Sequence, residues 1–200
     1  MNVLLMGITG SGKSTLGPLL ARELRYGFVD LDEKIAAQQG CSIAKLIKKR
    51  GIGAFRELEL RTLRLFSGCK HQVISLGGGL PQDENGLRLV RSLGTLVWLE
   101  VPIRVMAARL LRSREELSKR PLVCEALSAH RLTPLQEDSM QAAQLRQDLE
   151  AYLSQRYEKM KEFGDQADLV FRDYYSEPMF AARQIVSMFK REPLSRVGKL

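Results

Sequence analysis

Apolar positions fall into five short runs, roughly residues 2–7, 26–30, 72–76, 95–100 and 168–172, separated by stretches with helical spacing. Met1 to Met6 is almost unbroken in its apolar character, as a strand buried on both faces would be. Between the runs, Leu16, Leu19, Leu20 and Leu24 repeat at intervals of three and four, the mark of an amphipathic helix. Phe55, Leu58, Thr62 and Leu65 form a second such stripe, which predicts burial for all four. A third runs through residues 138–163 as Leu145, Leu149, Tyr152, Leu153, Met160 and Phe163, with the helix opening at Asp138 or Ser139. Shorter helices are expected at 42–50, 103–112 and 178–190. Strands alternating with helices predict an α/β fold, a parallel sheet covered on both faces. Two hundred residues suit one such domain.

The junction between the first strand and the first helix carries Gly7-Ile-Thr-Gly-Ser-Gly-Lys13-Ser14-Thr15. This is the phosphate-binding P-loop pattern G-x-x-x-x-G-K-[ST], flanked by strand and helix as the motif requires. Glycines at 7, 10 and 12 let the backbone curl around an anion, and the helix N-terminus faces it. The expected nucleotide contacts are Gly10, Ser11, Gly12, Lys13, Ser14 and Thr15. Lys13 reaches the β and γ phosphates, and the Ser14 hydroxyl sits on Mg²⁺. A plain glycine-rich turn leaves the Lys-Ser-Thr placement unexplained.

Other candidate chemistry sits at the carboxyl ends of the predicted strands, where ligands of such sheets collect. Asp30 and Asp32 end the second run on one face, about 6.6–7 Å apart along the chain. One carboxylate can serve a magnesium shell and the other an acceptor hydroxyl. The plainer alternative is a helix start with Asp32 as N-cap. Arg56 neighbours an apolar stripe with Glu59 at i+3, either a built pair or a surface ion pair. Gly77, Gly78 and Gly79 follow the third strand as a nest of bare amides for a polar substrate group, or as a flexible loop before Pro81. Arg109, Arg112, Arg114, Lys119 and Arg120 precede Pro121-Leu122, a basic stretch suited to a mobile lid or to a solvated loop. Arg156 interrupts the stripe of the long helix between Leu153 and Met160, so it needs a partner or must snorkel. Arg172 or a tyrosine at 174–175 could flank an adenine.

Composition narrows the class further. With 44% apolar and 27% charged residues the chain is an ordinary globular one. Its net charge of +8 is scattered and not interleaved with aromatics, so nucleic acid is not expected as a partner. Cys41, Cys69 and Cys124 suggest neither a disulfide framework nor a zinc site. No apolar run is long enough for a bilayer and no leader precedes the first strand, so a cytoplasmic protein without membrane contact is expected. Residues 191–200 read as a basic C-terminal tail.

The ordered set Gly7–Thr15, Phe28–Asp32, Gly40-Cys-Ser-Ile43, Phe55–Glu59, Gly77–Gly79 and Arg120-Pro-Leu122 resembles the shikimate kinase family of P-loop proteins, nearly collinearly over residues 1–122. The resemblance implies a five-stranded parallel sheet of order 2-3-1-4-5 within one kinase domain, residues 1–190, with a lid at about 112–137. It implies ATP-dependent phosphorylation of the 3-hydroxyl of shikimate, giving shikimate 3-phosphate and ADP, and a monomeric enzyme. Asp32 would take the acceptor hydroxyl, Ser14 and Asp30 would hold magnesium, and Arg120 would act from the lid. Arg56, Arg156 and Gly77 to Gly79 would bind the substrate. Two other readings remain open from the residues: a kinase of another small hydroxy acid such as gluconate, and a nucleotide-binding regulator without transfer activity.

Overall fold

The computed structural model describes residues 1–112, 120–127, 140–172 and 177–191. Five strands, β1 (Asn2–Met6), β2 (Gly27–Asp30), β3 (Gln72–Ser75), β4 (Gly94–Leu99) and β5 (Leu169–Phe171), form one sheet of order β2-β3-β1-β4-β5. Every pairing is parallel. The five apolar runs and the strand order are therefore as expected, to within two residues at each strand end.

The alternation of side chains explains why β1 has no polar face. Leu4 and Met6 point into one core with Ile74, Leu96 and Trp98, while Val3 and Leu5 join Val73 and Val97 in a second core across the sheet. Helices α1 (Lys13–Leu24) and α8 (Pro178–Arg191) close the second core with Leu16, Leu20, Ala182 and Ile185. The first is closed by α2 (Leu31–Gln39), α3 (Ile43–Arg64), α4 (Glu84–Leu93), α5 (Ile103–Leu111) and α7 (Met140–Gly164), with the short α6 (Pro121–Ala126) at its rim. Helices thus lie on both faces of the sheet.

Helix starts decide which strand ends stay open for ligands. Asp30, Ser42 and Asp83 cap α2, α3 and α4 by accepting backbone N–H groups. By contrast α1 opens on Gly12, φ 96°, with no side-chain cap. Its first N–H groups therefore remain available to an anion.

Several local expectations change. Residues 42–50 and the helix after them are one element, α3, kinked at Gly51, where φ is 78° and ψ is 166°. The buried side of α3 is Phe55, Glu59, Thr62 and Leu63, whereas Leu65 is 60% exposed. A stripe drawn straight through to Leu65 overruns the helix, which ends at Arg64, so Phe66 turns inward instead. Helix α6 was not anticipated; Pro121 at its first turn has the fixed φ that suits a helix start. Most of the expected lid, residues 113–119 and 128–139, lies outside the described residues, as do the proposed opening at Asp138 or Ser139, Tyr174, Tyr175 and residues 192–200.

Candidate active site

The loop between β1 and α1 folds around its own glycines. Gly10 and Gly12 take φ values of 82° and 96°, in the left-handed region that side chains disfavour. The buried Lys13 ammonium donates to the carbonyl oxygens of Gly7 at 2.6 Å and Ile8 at 3.3 Å. Burial, then the nearby Arg120 charge, lowers its pKa to about 8; Asp32 and Asp30 oppose that fall. Arg109, from α5, donates to the carbonyl oxygens of Ser11 at 3.3 Å and Gly10 at 3.5 Å. A cavity of about 280 Å³ opens beside this loop, lined by Gly12, Thr15, Leu99, Arg109, Phe171 and Pro178. Of the residues suggested for an adenine flank, Arg172 pairs with Glu100 at 2.9 Å. The basic stretch did not single out Arg109; only its distance to the loop does so.

On the other side of Lys13 lies a larger cavity of about 570 Å³. Lys13, Ser14, Asp30, Asp32 and Arg120 all line it. Asp30 performs two tasks. Its Oδ1 caps α2, accepting from the Asp32 and Glu33 amides at 3.0 and 3.3 Å, and its Oδ2 accepts from the Ser14 hydroxyl at 3.2 Å. The N-cap is therefore Asp30, two residues before the alternative drawn from the sequence. That leaves Asp32 on the first turn with its Oδ1 buried and without a hydrogen-bond partner. Burial, followed by the Asp30 charge, raises the Asp32 pKa, while Lys13, Arg120 and Arg56 pull it down.

The same cavity is also lined by Arg56, Glu59, Gly78, Gly79, Tyr152 and Arg156. Arg56 bonds Glu59 at 2.5 Å, and Glu59 is fully buried, so this is no surface ion pair. Arg156 reaches the cavity from α7, 3.4 Å from the Gly78 carbonyl oxygen to which it donates. The glycine triplet does more than expose amides. A Cβ at Gly77 would strike the Glu59 carboxylate, and one at Gly79 would strike the Arg56 guanidinium. Gly77 itself lies behind the cavity wall, against Glu59 and Asp32. Tyr152, which periodicity reads as packing, also faces this space.

Glu59 should register in the pH dependence of stability. Burial raises its pKa to about 7 from an ordinary 4.5, although Arg56 opposes the shift. Between those two values the folded state holds a proton that the unfolded chain releases, so the contribution of Glu59 falls as pH rises from about 4.5 through about 7. Chemical unfolding of the wild type and Glu59→Gln at pH 5 and pH 8 checks this. The wild type should lose on the order of 1–3 kcal/mol relative to the variant over that interval.

A phosphate loop after the central strand, with two acids and an arginine-lined cavity beside it, defines a P-loop α/β protein with room for a small anionic ligand next to a nucleotide. A family model described as shikimate kinase matches residues 9–168. The chain belongs to that family. It is 47% identical over 121 residues to a shikimate kinase of Chlorobium limicola, covering 60% of this chain and 59% of the relative. The chain thus spans about three fifths of the length of that curated relative. The crystal structure of shikimate kinase from Bacteroides thetaiotaomicron superposes with a TM-score of 0.77 at 26% identity, covering 95% of this chain and 98% of that one. The shikimate kinase from Aquifex aeolicus gives a TM-score of 0.67 at 27% identity, covering 95% and 96%.

Proposed function

We propose that the protein transfers the γ-phosphoryl group of ATP to the 3-hydroxyl of shikimate, giving shikimate 3-phosphate and ADP, a step of aromatic amino-acid synthesis. One observation carries the proposal. A single cavity is lined by the P-loop lysine, by an aspartate with an unpartnered oxygen, and by two guanidiniums, Arg56 and Arg156. That is the complement of a compact hydroxy acid lying beside a triphosphate.

Each residue then has a task. Gly10, Ser11, Gly12, Lys13, Ser14 and Thr15 hold the phosphates, and Arg109 with Pro178 shapes the wall for the base. Asp32 accepts the hydroxyl hydrogen of the acceptor. As that oxygen bonds to the γ phosphorus the proton passes to Asp32, and the bond to the ADP oxygen breaks. Lys13 and Arg120 offset the charge moving onto the phosphate oxygens. Arg56 and Arg156 clasp the carboxylate, with Gly78 and Gly79 beneath the ring. Gly77 serves indirectly, by making room for Glu59.

The adjacent Ser14 hydroxyl and Asp30 carboxylate, 3.2 Å apart at the phosphate end, fit Mg²⁺, which takes hard oxygen donors and keeps several of its waters. Bound there with the nucleotide, Mg²⁺ would neutralise phosphate charge. On this reading residues 1–190 are one catalytic unit with a lid at about 112–137. The enzyme is monomeric and cytoplasmic, with no nucleic-acid or membrane partner.

ADP release measured over a panel of hydroxy acids tests the function. Turnover with shikimate and none with gluconate is expected. Turnover with gluconate alone would overturn the acceptor, and nucleotide binding without any turnover would point to a regulator. Arg156→Ala should raise the acceptor KM by roughly 10–10²-fold, the loss of a charge-assisted hydrogen bond, with a smaller change in kcat. Steady-state kinetics with varied shikimate read this directly; an unchanged KM would reduce Arg156 to packing.

A further inference from the structure

The guanidiniums of Arg56 and Arg156 are not the only polar side-chain groups lining the cavity on this side of Lys13. Tyr152 stands one helical turn before Arg156 on α7, so the two side chains share a face. Its ring lines the same cavity. It is half-buried among charges, with Arg156, Arg56 and Glu125 all acting on the phenol. Among the described residues its hydroxyl makes no hydrogen bond, and its oxygen is not sealed from the cavity, so it can meet a ligand there.

We propose that Tyr152 is a third contact to the acceptor, its phenol O–H donating to the carboxylate held by Arg56 and Arg156. This rests on the hydroxy-acid reading above and extends it. A carboxylate offers about four lone-pair positions on two oxygens, so two guanidiniums do not exhaust it. A neutral donor adds a directed bond without adding charge to a site that already holds two cations. Burial pushes the phenol pKa upward, so the group remains a donor at neutral pH. Tyr152 thus favours acids whose carboxylate reaches Arg56 and Arg156 when the reacting hydroxyl is at Asp32. An acceptor without that carboxylate would leave the phenol unmatched and Arg56 and Arg156 with only their protein partners, Glu59 and the Gly78 carbonyl oxygen.

Steady-state kinetics of Tyr152→Phe test the proposal, because the ring stays and only the hydroxyl goes. The shikimate KM should rise roughly 5–20-fold, as for a hydrogen bond to a charged group, while kcat and the ATP KM stay within about twofold. In an Arg156→Ala background the same change should cost less, since both groups hold one carboxylate. An unchanged KM, or strictly additive losses in the double variant, would overturn the shared contact. Tyr152→Leu serves as the packing control. If it alone weakens the acceptor and Tyr152→Phe does not, the ring is packing and the proposal fails. A wild type inactive on shikimate would instead overturn the functional reading on which the proposal rests.

Discussion

Lys13→Ala should lower phosphoryl transfer by roughly 10³-fold or more while the fold survives. The loss follows from where the ammonium lies. It is buried beneath the loop, anchored on the Gly7 and Ile8 carbonyl oxygens, with acids behind it and Arg120 nearby. Burial costs this charge part of its stability in the free protein, which is why its pKa falls to about 8. A polyphosphate arriving at the loop restores the missing counter-charge, and the interaction strengthens as charge builds on the transferred group. Alanine removes that gain and also removes a desolvated cation. The unfolding midpoint should therefore change little, and circular dichroism with kcat/KM in one preparation checks both halves.

Asp32→Asn should cut kcat by roughly 10²–10⁴-fold and leave ATP affinity nearly intact. Asparagine keeps the shape but cannot take the proton of the attacking hydroxyl. Asp32 is suited to that task by its surroundings: its Oδ1 is buried and unpartnered, and burial with the Asp30 charge makes the carboxylate more basic. Lys13, Arg120 and Arg56 keep it ionisable. The Asp30 carboxylate is occupied by the α2 amides and the Ser14 hydroxyl, so it cannot substitute. Turnover with separately measured nucleotide binding decides the matter; equal losses in both would contradict the role given to Asp32.

What could be read from the sequence depended on whether the signal was local. The P-loop and the strand runs are contiguous patterns, so Gly7 to Thr15 and all five strands emerge from spacing alone. Asp30 and Asp32 were legible as a pair, and the resemblance assigned their roles, but which of them caps α2 was not legible. Which carboxylate caps α2 depends on backbone angles at one residue, and the cap falls on Asp30. Arg56 and Glu59 were legible as neighbours, yet their burial was not, because it depends on Gly77 and Gly79 arriving from a distant strand end with no Cβ. Arg156 stood out as a charge on an apolar stripe. Tyr152 did not, since a tyrosine on that stripe is ordinary packing until the cavity is seen. Arg109 was hidden for a similar reason: its contacts to Gly10 and Ser11 join residues nearly a hundred positions apart.

On this reading an organic acid lies between the two guanidiniums with its reacting alcohol at Asp32. A crystal structure with ADP, magnesium and shikimate tests it most directly. The carboxylate is expected between Arg56 and Arg156, and the 3-hydroxyl within hydrogen-bonding distance of Asp32 and facing the nucleotide. Shikimate bound elsewhere, with both guanidiniums turned from the cavity and Asp32 contacting no hydroxyl, would contradict it.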